Sequence, residues 1–564
     1  MADADQQVEQ ERQMLADANA KGGGAKVRTF MKLSGPGWLQ SAITLGGGSL
    51  ASSLFLGILG GMSLLWVQPF AMILGIIMLS AIGYVTLSTG ERPFQAIRNH
   101  VNPVMAWGWA LAVAAANIVW CLPQFSLANG VLSQNLLPGV LGPEGAITKA
   151  GGANASMAAV SVSLLLICTI ITWSYDRGGW GIRMYEWVLK AMVAFIVICF
   201  VGVVAVLTSR GVIDWSAVTS GLIPKFGQFF RPADTFAPLL DAIGAVGDPA
   251  REYWSNFIVD KQQDIIFSAA ATAVGINMTF LFPYSLLRKG WTKEFRGLAI
   301  FDLATGMFIP YVLATGCVVI ASAGQFHTKL TDDFVVSKGD ITPPERLAKP
   351  YNKLLDSRGK KVSGDASLAE KKLAATLVNR KARDLSGALE PLTGRFVADI
   401  VFGFGVLAMA LSTISLLMLI SGFVFCEMFG LPQGGWPHRI GTLVAGAIGA
   451  TGPFVWGGAS FYLAVPTSVF GLALLPFAYI TFVLLMNQRT LLGDNMPKGA
   501  RRLLWNVLMG SAATIATAAS LYVIYKKSNE KFGNGWYGLA GVGVLLAIVL
   551  IVQFTRKPAG QQTE

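Results

Sequence analysis

Charge is scarce in this sequence. Only 13% of its 564 residues are Asp, Glu, Lys or Arg, whereas soluble domains carry roughly a quarter. Hydrophobic residues reach 53% and mean hydropathy is +0.54, so a soluble class is excluded and the lipid bilayer is the expected solvent. Histidine is scarcer still: His100, His327 and His438 lie in loops and form no ligand cluster. The five cysteines, Cys121, Cys168, Cys199, Cys317 and Cys426, all fall in apolar stretches without paired spacing. That excludes a disulfide framework or zinc site and leaves small buried side chains. There is no HExxH, Walker loop or GxSxG elbow, so zinc proteolysis and ATP-driven transport lack their machinery. Nor do ionisable residues converge within the apolar runs, as a membrane enzyme would require. The chain is read as no enzyme, with no cofactor. Its net charge of +12 is scattered through tails and loops without a nucleic-acid-binding pattern, so no nucleic acid is expected as a partner.

What the chain has in abundance is apolar runs of about 20 residues, the length that crosses a hydrocarbon core. They give about 12 transmembrane helices. A polar cytoplasmic tail, disordered or loosely helical, occupies 1–33, and five spans fill 34–208. A loop at 209–263 is too charged to cross, and spans six and seven take 264–322. A polar extramembrane insertion, not expected to be an independent folded domain, covers 323–394. Spans eight to ten lie at 395–486, spans eleven and twelve at 487–555, and a cytoplasmic tail at 556–564. The tail at 1–33 lacks the apolar core of a cleavable signal peptide, so the first span is expected to serve as its own insertion signal. Short loops with Arg92 and Arg98, Arg177 and Arg183, Arg288 to Arg296, and Arg489 to Arg502 fall on one side. The positive-inside rule then places both termini in the cytoplasm, with the chain in the plasma (inner) membrane.

The first span, SGPGWLQSAITLGGGSLASSLFLGILGGMSLLW from Ser34 to Trp66, contains Gly46, Gly47 and Gly48 in its middle. Each glycine costs about 1 kcal/mol relative to alanine inside a helix, so the run predicts a break there. Small residues also mark close helix packing. A second interrupted segment, AAATAVGINMTFLFPYSLLRKGW, favours the break. Gly275, Asn277, Thr279 and Pro283 disturb it five spans after the first. Two interrupted helices in corresponding halves point to a transporter with inverted repeats. Unwound backbone at that depth must be buried in protein or line a wet cavity.

The first span resembles that of the natural resistance-associated macrophage protein (Nramp) family of divalent metal transporters. It keeps Gly35-Pro36-Gly37 and Ser63-Leu64-Leu65-Trp66 at ungapped spacing, with Thr89-Gly90 and Tyr185-Glu186-Trp187-Val188 further on. The resemblance implies an all-α, LeuT-like fold of five plus five inverted repeats with helices one and six broken. Where the family carries its metal-binding Asp-Pro-Gly-Asn, this chain has Gly46-Gly47-Gly48-Ser49. The acid one turn on becomes Ser53, and the family's Met-Pro-His aligns with Asn277-Met278-Thr279. A slip of one residue would put Met278 in the ligand position instead. The proton-pathway acids of span three are replaced by Cys121 and Gln124. In these departures the sequence is similar to the Nramp-related magnesium transporters.

Thioethers select soft metals, whereas carbonyls, amides, hydroxyls and water suit Mg²⁺, which sheds its water reluctantly. The expected substrate is therefore a divalent cation, partly hydrated Mg²⁺ and next Mn²⁺, carried by a monomer without proton coupling. Gly46, Gly47, Gly48, Ser49, Asn277 and Thr279 are the expected contacts. Ser53, Gln124, Met278 and Tyr284 are read as supporting or pathway residues. A LeuT-fold carrier of a small organic solute such as an amino acid is the alternative, and a channel a third. Asp302, Arg395, Asp399 and Glu427 lie near span ends, where a solvated interface or an ion pair suffices to hold them.

Overall fold

The computed structural model describes residues 2–175, 179–331, 333–337, 339–380, 384, 390, 394–456 and 464–555. Arg177 and the tail at 556–564 lie outside the described residues. Eleven described helices are long and apolar enough to cross a membrane. Span nine, Gly435–Ala450, has 16 residues, so at 1.5 Å per residue it covers about 24 Å. The fold is all-α within the membrane and LeuT-like.

Span one is broken, as expected, into Pro36–Thr44 and Gly47–Gly60. Span six is broken into Pro249–Ala273 and Ile276–Arg288. Both halves differ from expectation in detail. The first break falls at Leu45 and Gly46, and Gly47 and Gly48 already belong to the next helical turn. The second falls at Val274 and Gly275, and the helix then continues through Pro283. A proline eight residues into a helix of 13 removes one backbone bond without ending it. Span six also starts earlier than its apolar run. Asp248 caps it by accepting from the Ala250 and Arg251 amides, and Pro249 takes the first helical position, an N-terminal pairing that favours helix.

Spans two to five run at Val67–Thr89, Pro103–Val131, Ala146–Ser174 and Gly179–Ser209. Span seven ends at Phe326, span eight is Phe402–Met428, and span ten is Ala464–Leu474 continued by Pro476–Met486. Spans eleven and twelve are Gly499–Phe532 and Trp536–Thr555. Span eight packs along span three, and the first half of span six lies between spans one, two and ten.

The polar segments have more structure than their composition suggested. The N-terminal tail forms helices Ala2–Lys21 and Gly23–Leu33, and Glu11 accepts from the Trp291 indole at 3.0 Å. The insertion contains a hairpin, Val335–Ser337 with Asp340–Thr342, and helices Glu345–Gly359 and Leu368–Leu377. Ser367 and Glu370 form a capping box. Glu370 also pairs with buried Arg358 and accepts from Trp254 at 3.1 Å, pinning the insertion to span six.

The acids and bases near lipid are tied at span ends. Arg395 pairs with Asp399 at 3.6 Å, and Arg92 with Glu427 at 3.1 Å. Asp302 of span seven does more: its carboxylate accepts from the Gly35 amide at 3.0 Å, the Gly37 amide at 2.7 Å and the Ser34 hydroxyl. It thus caps the start of span one from a different helix, satisfying amides that no residue of that helix reaches. Gly37 lies so close that a Cβ there would overlap the Asp302 backbone. This contact gives Gly35-Pro36-Gly37 its physical meaning. Gly37→Ala is therefore expected to cost about 1–3 kcal/mol by overpacking, read as a lowered melting temperature in detergent. Gly90→Ala, which has open space around it but a positive φ of 71°, should lose less.

Candidate substrate cavity at the two helix breaks

The two breaks face each other. Leu45 leaves the helix at φ −80°, ψ 62°, and Gly46 is extended at φ −113°, ψ −177°. Val274 and Gly275 are extended at φ −140°, ψ 102° and φ −80°, ψ 161°. The Thr44 hydroxyl bridges them, lying 3.5 Å from the Ala273 carbonyl and 3.3 Å from the Met278 sulfur. Between them is a cavity of about 30 Å³. Its wall combines Thr44, Gly46, Gly48 and Ser49 of span one with Thr272, Gly275, Asn277 and Met278 of span six. Trp120, Pro123 and Gln124 of span three, Thr413 of span eight, and Ala464, Thr467 and Ser468 of span ten close it. No Asp, Glu, His or Cys is in this wall. Among the described residues no group of three such side chains could hold a metal anywhere.

Much of the polar wall is engaged by the broken backbone. The Ser49 hydroxyl donates to the Thr44 carbonyl, and the Ser412 hydroxyl to the Ala42 carbonyl at 3.0 Å. Gly47 donates its amide to Gln124 Oε1 at 2.9 Å. Met278 donates its amide to Asn277 Oδ1 at 2.9 Å, and the Met278 sulfur accepts the Gly275 amide at 3.3 Å. Two buried polar atoms facing the cavity are left without a partner among the described residues: Asn277 Nδ2 and Thr413 Oγ1. Leaving such a group unpaired costs about 1–3 kcal/mol; of the two, Thr413 Oγ1 can accept or donate, whereas Asn277 Nδ2 can only donate.

Of the expected contacts, Gly46, Gly48, Ser49 and Asn277 line the cavity, together with Gln124 and Met278. Asn277 and Met278 both reach it, so the two registers considered for span six are not exclusive. Gly47 acts through its amide on Gln124 rather than through its carbonyl. The Gly46 carbonyl accepts the Leu50 amide at 3.0 Å, which commits it to the helix. Thr279 is outside the wall. It donates to the Ile276 carbonyl and accepts the Trp109 indole N–H at 3.0 Å, because the helix resuming at Ile276 turns it toward span three. Ser53 also faces away, donating to the Ser49 carbonyl at 2.6 Å and accepting from Gln68 at 2.7 Å. Tyr284, two turns below Asn277, stacks on Phe280 at 4.4 Å and lines a separate cavity of about 350 Å³ with Arg92, Arg288 and Gln433.

Residue-by-residue reading missed Trp120, Thr413, Thr467 and Ser468. Thr413 sits beside Ser412 and close to Ser415 in a mostly apolar span, a sequence sign of a polar facing. A Cβ at Gly46 would overlap its hydroxyl. Trp120 has no sign of its own.

Comparison with known proteins agrees with this architecture. The model of the Nramp (natural resistance-associated macrophage protein-like) family matches residues 37–339 and 366–526. Among solved structures, variants of the Eremococcus coleocola manganese transporter superpose with a TM-score of 0.62 at 15% identity, covering 94% of each chain. The same transporter in complex with an aromatic bis-isothiourea substituted compound gives the same values. None of the curated proteins matches. The family match spans most of the chain, and the chain belongs to the Nramp family of secondary metal-cation transporters.

Proposed function

We propose that this chain carries partly hydrated Mg²⁺, with Mn²⁺ as the second cation, through the cavity between the two helix breaks. The observation that carries the reading is the wall itself. It presents hydroxyl and amide oxygens, with Thr413 Oγ1 left unpaired, and among the described residues no carboxylate, imidazole or thiolate. Oxygen donors and water suit Mg²⁺, whereas thiolate and imidazole suit transition metals. The one soft atom present, the Met278 sulfur, is held by the Thr44 hydroxyl and the Gly275 amide, so it serves the breaks. A manganese transporter shares the fold, which supports Mn²⁺ as the next candidate.

The driving force needs no proton. A divalent cation moving through 100 mV gains about 4.6 kcal/mol at roughly 2.3 kcal/mol per charge. Cys121 and Gln124 stand in span three, and neither is an acid. We read the transporter as a monomer in the plasma (inner) membrane with both termini cytoplasmic. An amino-acid carrier fits less well. Ligand pockets for organic molecules run to about 300–1,000 Å³, and this wall offers no ionised partner for a carboxylate or ammonium.

Cation uptake into proteoliposomes tests the site. Asn277→Ala and Thr413→Val should each raise the KM for Mg²⁺ by up to about tenfold, the equivalent of about 1.4 kcal/mol for one lost polar contact. Thr279→Val should leave KM unchanged, since its hydroxyl is turned to Trp109. Equal KM in all three variants would refute the assignment of the cavity. Coupling has its own test. Mg²⁺ uptake under an imposed potential should proceed without acidifying the lumen of the vesicles, and its rate should be flat between pH 6 and 8, as the wall has no group titrating there. Stoichiometric proton entry would contradict this.

A further inference from the structure

The cavity is too small for the cation it is assigned. At about 10–15 Å³ for each water, the 30 Å³ between the breaks holds about two waters, whereas octahedral Mg²⁺ keeps up to six. Some part of the wall has to yield. Backbone and short side chains make up most of it: Gly46, Gly48, Ser49, Gly275, Thr413 and Ser468 have little to withdraw. Gln124 and Asn277 accept backbone amides of the breaks, and Met278 accepts one as well. Moving any of these would strand a buried amide.

Trp120 is different. Among the described residues it is the one aromatic side chain in the wall; it is only partly buried and makes one hydrogen bond, from its indole N–H to the Thr467 carbonyl at 2.9 Å. Its ring lies in a slot between two glycines on different helices. A Cβ at Gly275 of span six or at Gly471 of span ten would overlap the indole. Both glycines lack φ values in the left-handed region, so neither backbone conformation demands glycine; space for the ring does. We propose that the Trp120 indole is a displaceable wedge that sets how much water the transported cation keeps. With the ring seated, the cavity admits a largely stripped ion. With the ring withdrawn along its slot, the same polar wall meets an ion that retains most of its shell. This rests on the divalent-cation reading above and adds to it the residue that discriminates by hydration.

The wedge is tested by Mg²⁺ and Mn²⁺ uptake in proteoliposomes with the full-length protein and the variants Trp120→Ala, Trp120→Phe and Gly471→Ala. Each variant is first checked for wild-type elution and melting. Trp120→Ala should raise kcat for Mg²⁺ several-fold and shift preference from Mn²⁺ toward Mg²⁺, because Mg²⁺ holds its water more tightly. Trp120→Phe, smaller and without the bond to Thr467, should fall between. Gly471→Ala, whose methyl would overlap the seated ring, should displace it and shift kcat and preference in the same direction as Trp120→Ala. Unchanged kcat and preference in folded Trp120→Ala would overturn the wedge, as would equal loss of both uptakes. Mn²⁺ uptake without Mg²⁺ uptake by the wild type would instead remove the ion assignment. The wedge would then be judged on whether Trp120→Ala raises Mn²⁺ turnover.

Discussion

A helix that stops inside a bilayer exposes carbonyls at one end and amides at the other, and lipid can bond neither. Each unpaired group costs several kcal/mol in that medium, so the two breaks constrain everything packed around them. The structure answers with side chains. Ser49 and Ser412 donate to carbonyls of the first half-helix of span one, while Gln124, Asn277 and the Met278 sulfur accept amides from the half-helices that follow the breaks. The residues that resemble cation ligands are therefore first of all partners of the backbone. What remains for a cation is the residue of that accounting: Thr413 Oγ1 and the second lone pairs of oxygens already bonded once.

This explains which parts of the fold could be read in the sequence. Gly46 to Gly48 announced a break, and one is there, but two of the three glycines serve a different purpose. A Cβ on Gly47 would crowd Leu127 and Gln124, and one on Gly48 would press on Thr272 and Ser468. They are small because neighbours approach, and the chain turns helical at Gly47. The break in span six was legible for the same reason as its uncertainty in register: Gly275 is the hinge, and Asn277 and Met278 both follow it closely enough to face the cavity. Asp248-Pro249 and Ser367 with Glu370 are helix starts that composition hid, since charged flanking residues made these stretches look like loops. Trp120 was not legible, and Thr413 only through its neighbour Ser412. An aromatic or a threonine in an apolar span has the same pattern whether it packs against a neighbour or lines a cavity. Only the facing of spans three and eight decides between the two.

Electrostatics divides the molecule in the same way. The ion pairs Arg92–Glu427, Lys289–Glu186 and Lys526–Asp264, and the Asp302 cap, involve the ends of spans or the loops and helix extensions beside them. There water or an immediate counter-charge offsets the cost of burial. Among the described residues, the cavity wall is left without formal charge. A cation there meets only dipoles, and these are oriented. The first half of span one and the first half of span six both end at the cavity with their C-termini, at Thr44 and Ala273, each carrying roughly half a negative charge. The half-helices beginning at Gly47 and Ile276 present the opposite pole.

Those two poles fix where in a neutral cavity a cation can rest. It is repelled from the amides of Gly47 and Ile276 and drawn toward the side on which Thr44 and Ala273 approach each other, where the Thr44 hydroxyl already spans the gap at 3.5 Å. Roughly one negative charge shared between two helix ends is a weaker and more diffuse attraction than a carboxylate in contact. It favours an ion that interacts through its own water, because a bridging water lets both poles act at once while a bare ion would have to choose one. Binding of this kind is loose and suits a substrate that is abundant, so discrimination has to come from the space available to the hydrated ion. Under the proposed assignment, that space is governed by backbone that cannot retreat and by the ring of Trp120.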